Sequence, residues 1–208
     1  MRLFYAAATL LLSTIAAFAE GEALFQNFEY GTERQEIVQS VGATPCGESG
    51  NLCVRNQTFA GEPVEYVFLF REGLLTNFRL IFENREDAVA AMTAVNGTKA
   101  WLPVWLQRSN TGQTVDVLLT MHRSGPQEAA SQAMSLQSED EEGTYTASML
   151  EKSKDFEVTK FGSFVEALRG VPSGVRRLDV VLNKNASAFT FSLPADDRKA
   201  AIPKLPKF

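Results

Sequence analysis

Two neighbouring segments alternate large apolar side chains with the two-residue period of a β-strand, and this pattern constrains the fold most. In residues 64–71, apolar side chains occur at both odd and even positions, as in a strand that is covered on both faces. The second segment, residues 75–82, places Phe78 and Phe82 on one side. A Glu-Gly pair at residues 72–73 favours a turn between them. The pattern therefore predicts a β-hairpin within a hydrophobic sheet.

The following segments predict a helix and then two strands. Asn84 and the acidic residues after it are typical of a helix start, and an Asn-Gly pair at residues 96–97 favours its end. Residues 101–108 predict a strand, which Pro103 confines to a sheet edge or to a bulge. Residues 114–122 again alternate apolar and polar side chains and predict a further strand.

The last third of the chain repeats this order of elements. Pro126 favours the start of a short helix, and residues 144–150 predict a strand. Apolar residues at i, i+3, i+4 and i+7 in residues 161–168 predict an amphipathic helix. Residues 175–182 and 186–193 predict a closing hairpin.

The order strand, helix, hairpin thus occurs twice, at residues 75–122 and 144–193. It predicts an α+β fold, with antiparallel β-sheets made of hairpins and a helix packed on each. A weak internal duplication of a β-α-β-β unit would explain the repetition. The frequent occurrence of this order in α+β folds would explain it equally, and the sequence leaves the choice open.

The predicted domain organisation has three parts. Residues 1–19 are a signal peptide, residues 20–195 form the globular region, and residues 196–208 form an extended tail. The globular region could consist of two subdomains, at about residues 45–123 and 143–195.

The first 19 residues have the parts of a secretory signal peptide. Arg2 is basic, residues 3–15 are mostly apolar, and Ala-Phe-Ala at residues 17–19 is an A-x-A cleavage site. We expect cleavage between Ala19 and Glu20, and a mature protein that is periplasmic or secreted. No later segment has the roughly 18 apolar residues that a membrane span needs, so stable membrane insertion is not expected.

The composition excludes several classes of function. The 208 residues carry a formal net charge of -5 and include one His. A negative charge argues against nucleic acid as a partner, because nucleic-acid binding uses a basic face. A single His excludes metal sites built from several imidazoles, and no Gly-rich phosphate loop is present. We therefore expect no metal and no cofactor.

Cys46 and Cys53 are the only cysteines, and their spacing favours a structural disulfide. An exported protein meets an oxidising compartment, and the Gly-rich segment between the two residues can turn back sharply. A redox-active pair is disfavoured because the spacing is not C-x-x-C. A metal site would need further ligands that one His cannot supply.

Three polar features are better explained as surface groups than as sites. His122 shares a strand face with Asp116, but six residues of strand place them about 20 Å apart. The acidic residues 139–142 lack the spacing of a calcium-binding loop. Arg176 and Arg177 are adjacent, so they point to opposite faces of a strand and form no convergent anion site.

Trp101 and Trp105 are the candidate binding surface. They are four residues apart and therefore fall on one face of the Pro-containing strand. Two indoles on an edge strand could stack on a sugar or line an apolar groove. Alternatively, both pack into the core beneath the helix that starts at Asn84, which is the more usual position for aromatic residues.

Three short segments resemble the invasion-associated locus B family of exported bacterial proteins. These are Cys-Val-Arg-Asn-Gln at residues 53–57, Glu-Pro-Val at residues 62–64 and Phe-Ser-Leu-Pro at residues 191–194. The chain lacks two features typical of that family, an aromatic start just before the first Cys and a second Cys pair. No function is transferred from this resemblance.

Three functions remain open on the sequence alone. The first is an exported, non-enzymatic binding or accessory protein of the cell envelope, whose partner is a protein or a small ligand. The second is a hydrolase that uses a pair of carboxylates, which leaves no sequence motif. The third is a secreted inhibitor or immunity-type factor that acts through the disulfide loop at residues 46–53.

Overall fold

The computed structural model describes residues 23–47, 50–138 and 143–201. The predicted signal peptide, the acidic residues 139–142 and the tail from residue 202 onward lie outside the described residues. The strands are β1 Ala23–Phe25, β2 Phe28–Glu29, β3 Thr44–Cys46, β4 Asn51–Phe59, β5 Glu62–Arg71, β6 Leu74–Phe82, β7 Trp101–Arg108, β8 Thr114–Asp116, β9 Tyr145–Glu151, β10 Arg177–Leu182 and β11 Ser187–Ser192. The helices are α1 Arg34–Val41, α2 Arg85–Gly97, α3 Val117–Ser124, α4 Pro126–Ser138, α5 Phe164–Gly170 and α6 Pro194–Ala201, with a 3-10 turn at Val158–Lys160.

Nine of these strands form one antiparallel sheet in the order β3-β4-β5-β6-β11-β10-β9-β7-β8. Strands β1 and β2 form a separate two-stranded sheet. The predicted α+β fold of antiparallel hairpins with packed helices is confirmed. None of the helices in the described ranges has the length and apolar character needed to cross a membrane.

The central pairing of the large sheet joins distant parts of the chain. β6 pairs with β11 from Asn77 opposite Ser192 to Phe82 opposite Ser187. Strands from both predicted halves therefore share one sheet. The two units with the order strand, helix, hairpin differ in the pairing of their first strand. In the second unit, the first strand β9 pairs with β10 of the same unit. In the first unit, the first strand β6 pairs with β5 and β11, which both lie outside that unit.

One face of the sheet, the apolar face, packs into the main hydrophobic core. Its aromatic centre consists of the buried residues Tyr66, Phe68, Phe78, Phe189 and Phe191. Helix α2 covers this face with a stripe of small side chains, and the β1–β2 hairpin inserts a further Phe. The insertion is close, because the ring of Phe25 stacks on that of Phe78 with centroids 4.5 Å apart.

The opposite face has two parts. Near β7 and β9 it is apolar, and Val104 and Leu150 pack with residues of α5 in a second core. Along β6, β11, β10 and the middle of β9 it is the polar face, defined by Arg79, Ser148, Arg177, Asp179 and Thr190. A sheet with one apolar and one partly hydrated face is usual for antiparallel strands.

The strand predicted at residues 114–122 is wrong in its second half. β8 ends at Asp116, and α3 begins directly after it. The Asp116 carboxylate accepts a hydrogen bond from the N–H of Leu119, which caps the new helix. His122 and Arg123 lie in the last turn, where the helix dipole favours positive charge. The apolar run at residues 117–119 conceals this helical pattern.

The extended tail predicted from residue 196 is also wrong as far as Ala201, because α6 occupies Pro194–Ala201. Pro194 is the first helical residue, a position that needs no N–H. The acidic pair Asp196 and Asp197 lies in the first turn, where the helix dipole stabilises negative charge.

The predicted disulfide is confirmed between Cys46 and Cys53, whose Cα atoms are 5.8 Å apart. It joins the short edge strand β3 to β4, where Thr44 pairs with Cys53 and Cys46 pairs with Asn51. The disulfide therefore fastens the edge of the sheet to its neighbouring strand.

The double variant Cys46→Ser, Cys53→Ser is expected to lower the free energy of unfolding by about 2–3 kcal/mol, because a short closed loop is freed in the unfolded state. Urea unfolding of the oxidised variant and the wild type measures this difference. Reduced wild type is the control and should match the variant. Equal stability of variant and oxidised wild type would contradict a structural role.

Candidate functional site

Hydrogen-bonded polar side chains cross the centre of the polar face. The Asp179 carboxylate accepts from Arg177 Nε at 2.8 Å and from Ser148 Oγ at 2.6 Å. On the two adjacent strands, Arg79 Nε donates to Thr190 Oγ1 at 3.0 Å. The side chains of Arg177 and Asp179 are 28% and 27% exposed, so a ligand in solvent can reach them.

Asp116 fixes helix α5 beside these polar side chains. The N–H of Phe164 donates to both carboxylate oxygens of Asp116, at 3.1 and 3.0 Å. The same carboxylate caps α3 through Leu119, so one side chain fastens the starts of two helices, although the N-cap of α5 itself is Ser163. Phe164 then stacks on Trp105, with centroids 6.1 Å apart, and lies 5.6 Å from the Arg177 guanidinium.

Helix α6 is fastened to the C-terminal end of α5 by Arg198. Its guanidinium donates to the backbone carbonyls of Leu168 and Val171, the latter at 2.9 Å. Carbonyls at a helix C-terminus lack helical partners and lie at the negative end of the helix dipole. Arg198 supplies hydrogen-bond donors for these carbonyls and a positive charge at the negative end of the dipole, and it holds α5 and α6 side by side.

A second group of contacts fastens α6 to the other end of the sheet. Asp197 accepts a hydrogen bond from the Tyr30 hydroxyl at 3.3 Å and lies 3.6 Å from Nη1 of Arg71. Burial raises the pKa of Asp197 above its ordinary value, although the positive charge of Arg71 opposes this. Burial and the nearby Asp197 raise the pKa of Tyr30 to about 12, so its hydroxyl remains a donor.

These contacts create a groove of about 320 Å³ between α5, α6 and the end of the polar face, which we call the arginine groove. Its walls combine aliphatic and charged side chains: Val165, Leu168, Arg169, Arg177, Asp197 and Arg198. The Val165 side chain is 52% exposed. Such a mixture of apolar surface and fixed polar groups is typical of small-ligand sites.

The two tryptophans do not share a face, so the prediction that they lie on one side of the strand is wrong. A bulge between Pro103 and Trp105 shifts the register of β7 against β9. Trp101 packs against Phe191 of the main core, whereas Trp105 stacks on Phe164 on the opposite face. Proline at a bulge is as predicted, but the extra residue inverts the alternation that follows it.

The remaining predicted positions are placed as follows. His122 is exposed, and its Nε2 lies 3.1 Å from the carbonyl of Thr159. Arg176 forms an ion pair with Glu151 and lies 5.5 Å from the ring of Trp101, which puts it on the face opposite to Arg177. In the part of the chain that is described, no three His, Cys, Asp or Glu side chains are arranged to hold a metal ion.

Sequence reasoning missed the groove because it considered only the apolar parity of each strand. The other parity of β6, β10 and β11 contains the polar row, including Arg79, Asp179 and Thr190. A polar stripe at the same parity of three strands that pair is the signal that could have identified this face. The groove residues on helices α5 and α6 show no comparable pattern in the sequence.

Comparison with models of known protein families, with curated proteins and with solved structures finds no match for this chain. The resemblance to the invasion-associated locus B family therefore gains no support.

Asp116→Ala is expected to lower the free energy of unfolding by more than the about 0.5–2 kcal/mol of a single cap. The side chain caps α3 and also accepts a hydrogen bond from the N–H of Phe164 at the start of α5. Chemical unfolding measures the change. Asn84→Ala is the matched control, since Asn84 caps only α2 through the N–H of Asp87. A cost for Asp116→Ala no larger than that for Asn84→Ala would contradict the double role.

Asp197→Asn is expected to change how stability depends on pH. Folding raises the pKa of Asp197, so the native state binds this proton more tightly than the unfolded state. The contribution of Asp197 to the free energy of unfolding is therefore complete at low pH and falls as the pH rises through the raised pKa. Asn removes this titration.

Urea unfolding tests this expectation at about pH 3 and about pH 7, with each variant compared with wild type at the same pH. Asp197→Asn should be more stable relative to wild type at the higher pH than at the lower. Asp155→Asn, at an exposed aspartate outside the groove, is the control for replacing a carboxylate with an amide. A relative stability of Asp197→Asn that is independent of pH would refute the raised pKa.

Proposed function

We propose that this protein is an exported, non-enzymatic binding protein that recognises its ligand at the arginine groove and the adjoining polar face. The observation that carries the proposal is the groove itself, in which charged side chains are held in place around exposed aliphatic surface. Arg198 is fixed on the end of α5, and Arg177 is fixed on Asp179. Groups that are already ordered lose little entropy when a ligand binds.

Export is part of this proposal. The N-terminal sequence has the organisation of a signal peptide, with cleavage expected between Ala19 and Glu20. The Cys46–Cys53 disulfide is of the kind that persists in the periplasm or outside the cell. A binding protein of the envelope would combine these two features.

A carboxylate-dependent hydrolase is the second candidate, and Asp197 is the residue that favours it. A carboxyl group with a raised pKa beside a groove is typical of a general acid. The Asp197→Asn variant separates the two functions. A hydrolase would lose its turnover, whereas a binding protein would retain ligand affinity in the groove.

The inhibitor hypothesis concerns the disulfide loop at residues 46–53. Residues 48 and 49 of this loop lie outside the described residues, so the hypothesis stays a prediction. The Cys→Ser double variant also tests it, since lost inhibition with an intact fold would favour the loop.

The binding proposal is tested by a ligand screen with the chain from Glu20 onward, monitored by NMR of the ¹⁵N-labelled protein. We expect ligands to shift the amide signals of α5, α6 and the end of β11. Val165→Asp should abolish this binding, because it places a charge on the exposed aliphatic wall of the groove.

Met134→Asp is the matched control, since Met134 is a 69% exposed apolar residue of α4, outside the groove. It should leave ligand binding unchanged. Ligand binding that Val165→Asp leaves intact, or a screen in which no ligand shifts the groove signals, would refute the proposal.

A further inference from the structure

The charge around the arginine groove is opposite to that of the whole chain. Five arginines, Arg71, Arg79, Arg169, Arg177 and Arg198, surround the groove and the adjoining polar face. Three carboxylates, Asp179, Asp196 and Asp197, accompany them, so the arginines are in excess. The complete chain has a formal net charge of -5. A local excess of positive charge on an acidic protein favours an anionic ligand.

Several donors in this region have no protein partner. Nε and Nη2 of Arg177 bind Asp179 and Ser148, while its Nη1 has no partner among the described residues. The Ser192 hydroxyl and the Arg169 guanidinium make no hydrogen bond to any residue that the structure describes. Ser192 lies directly opposite Arg177 in the β10–β11 pair, on the same face.

Two carboxylates near these donors already accept hydrogen bonds within the protein. Asp179 accepts from Arg177 and from Ser148, and Asp197 accepts from Tyr30 and lies beside Arg71. The free edge of Arg177 is therefore available to a ligand without breaking an internal ion pair. A guanidinium edge matches the planar geometry of a carboxylate particularly well.

The other wall of the groove is apolar and short. Val165 is 52% exposed, and Leu168 and Pro194 continue the aliphatic surface. The groove volume of about 320 Å³ is at the lower end of the range for small-ligand sites. This size suits one short aliphatic group rather than a long chain.

We propose that the arginine groove binds a short aliphatic carboxylate. Its carboxylate lies against Arg177, Arg169 and Ser192, and its aliphatic part lies along Val165 and Leu168. This inference rests on the proposed binding function and specifies its ligand class. A short fatty acid and the free C-terminus of an apolar peptide both have this chemistry.

The experiment is a titration of the ¹⁵N-labelled protein with two probes, octanoate and N-acetyl-Leu-Leu with a free C-terminus. Octanamide and N-acetyl-Leu-Leu-amide are the matched neutral compounds. We expect at least one carboxylate probe to bind. The affinity of the matching amide should be lower by about tenfold or more, because charge-assisted hydrogen bonds are lost. The probe that binds distinguishes a fatty acid from a peptide terminus.

The double variant Arg169→Gln, Ser192→Ala should weaken binding of the carboxylate by about tenfold, since two of the three donor groups are removed. Arg123→Gln, an exposed arginine of α3 outside the groove, is the control and should leave the affinity unchanged. Thermal unfolding of each variant verifies that the fold is intact.

The outcomes separate this inference from the proposed function. Equal binding of carboxylate and amide, unchanged affinity in the double variant, or no binding of either probe would overturn the carboxylate assignment. Binding of another ligand that Val165→Asp abolishes would still support a binding protein. The absence of any groove ligand would overturn both.

Discussion

The structure depends on the pairing of β6 with β11, which brings together strands more than one hundred residues apart. Without it, the three-stranded groups β4–β5–β6 and β9–β10–β11 would each have an exposed edge and half of an aromatic core. With it, Phe78 lies directly opposite Phe191, and the Phe25 ring covers both. The same pairing aligns Asn77 with Ser192 on the reverse face, so core and candidate site have one origin.

The site also depends on how the helices are fixed to the sheet. Asp116 binds the N–H of the first residue of α5, and Arg198 holds α6 against the other end of that helix. The groove is therefore defined by side chains that satisfy helix termini, and much of its charge has a structural role in addition to any ligand contact. Arg169 and Ser192 have no such bond to any of the described residues, which is why they are the better reporters of ligand binding.

The sequence predicts the hairpins well because strand period and turn residues are local signals, as for β5–β6 and β10–β11. It predicts helix α2 and its cap at Asn84 for the same reason. It could not predict the order of strands in the sheet, since this depends on long-range pairing. Trp105 illustrates a second limit, because one extra residue at a bulge inverts the face of all later residues in the strand. Predicting the groove would have required both the order of strands in the sheet and the position of the bulge.

The disulfide has a consequence for the way the protein matures. Cys46 and Cys53 are seven residues apart and belong to consecutive strands of a local hairpin. The two thiols can therefore meet by closing a loop of a few residues, which takes nanoseconds to microseconds, whereas the pairing of β6 with β11 must wait for the end of the chain. Formation of this disulfide therefore does not depend on the long-range pairing, and the β3–β4 edge can be oxidised in a chain whose sheet is still unformed.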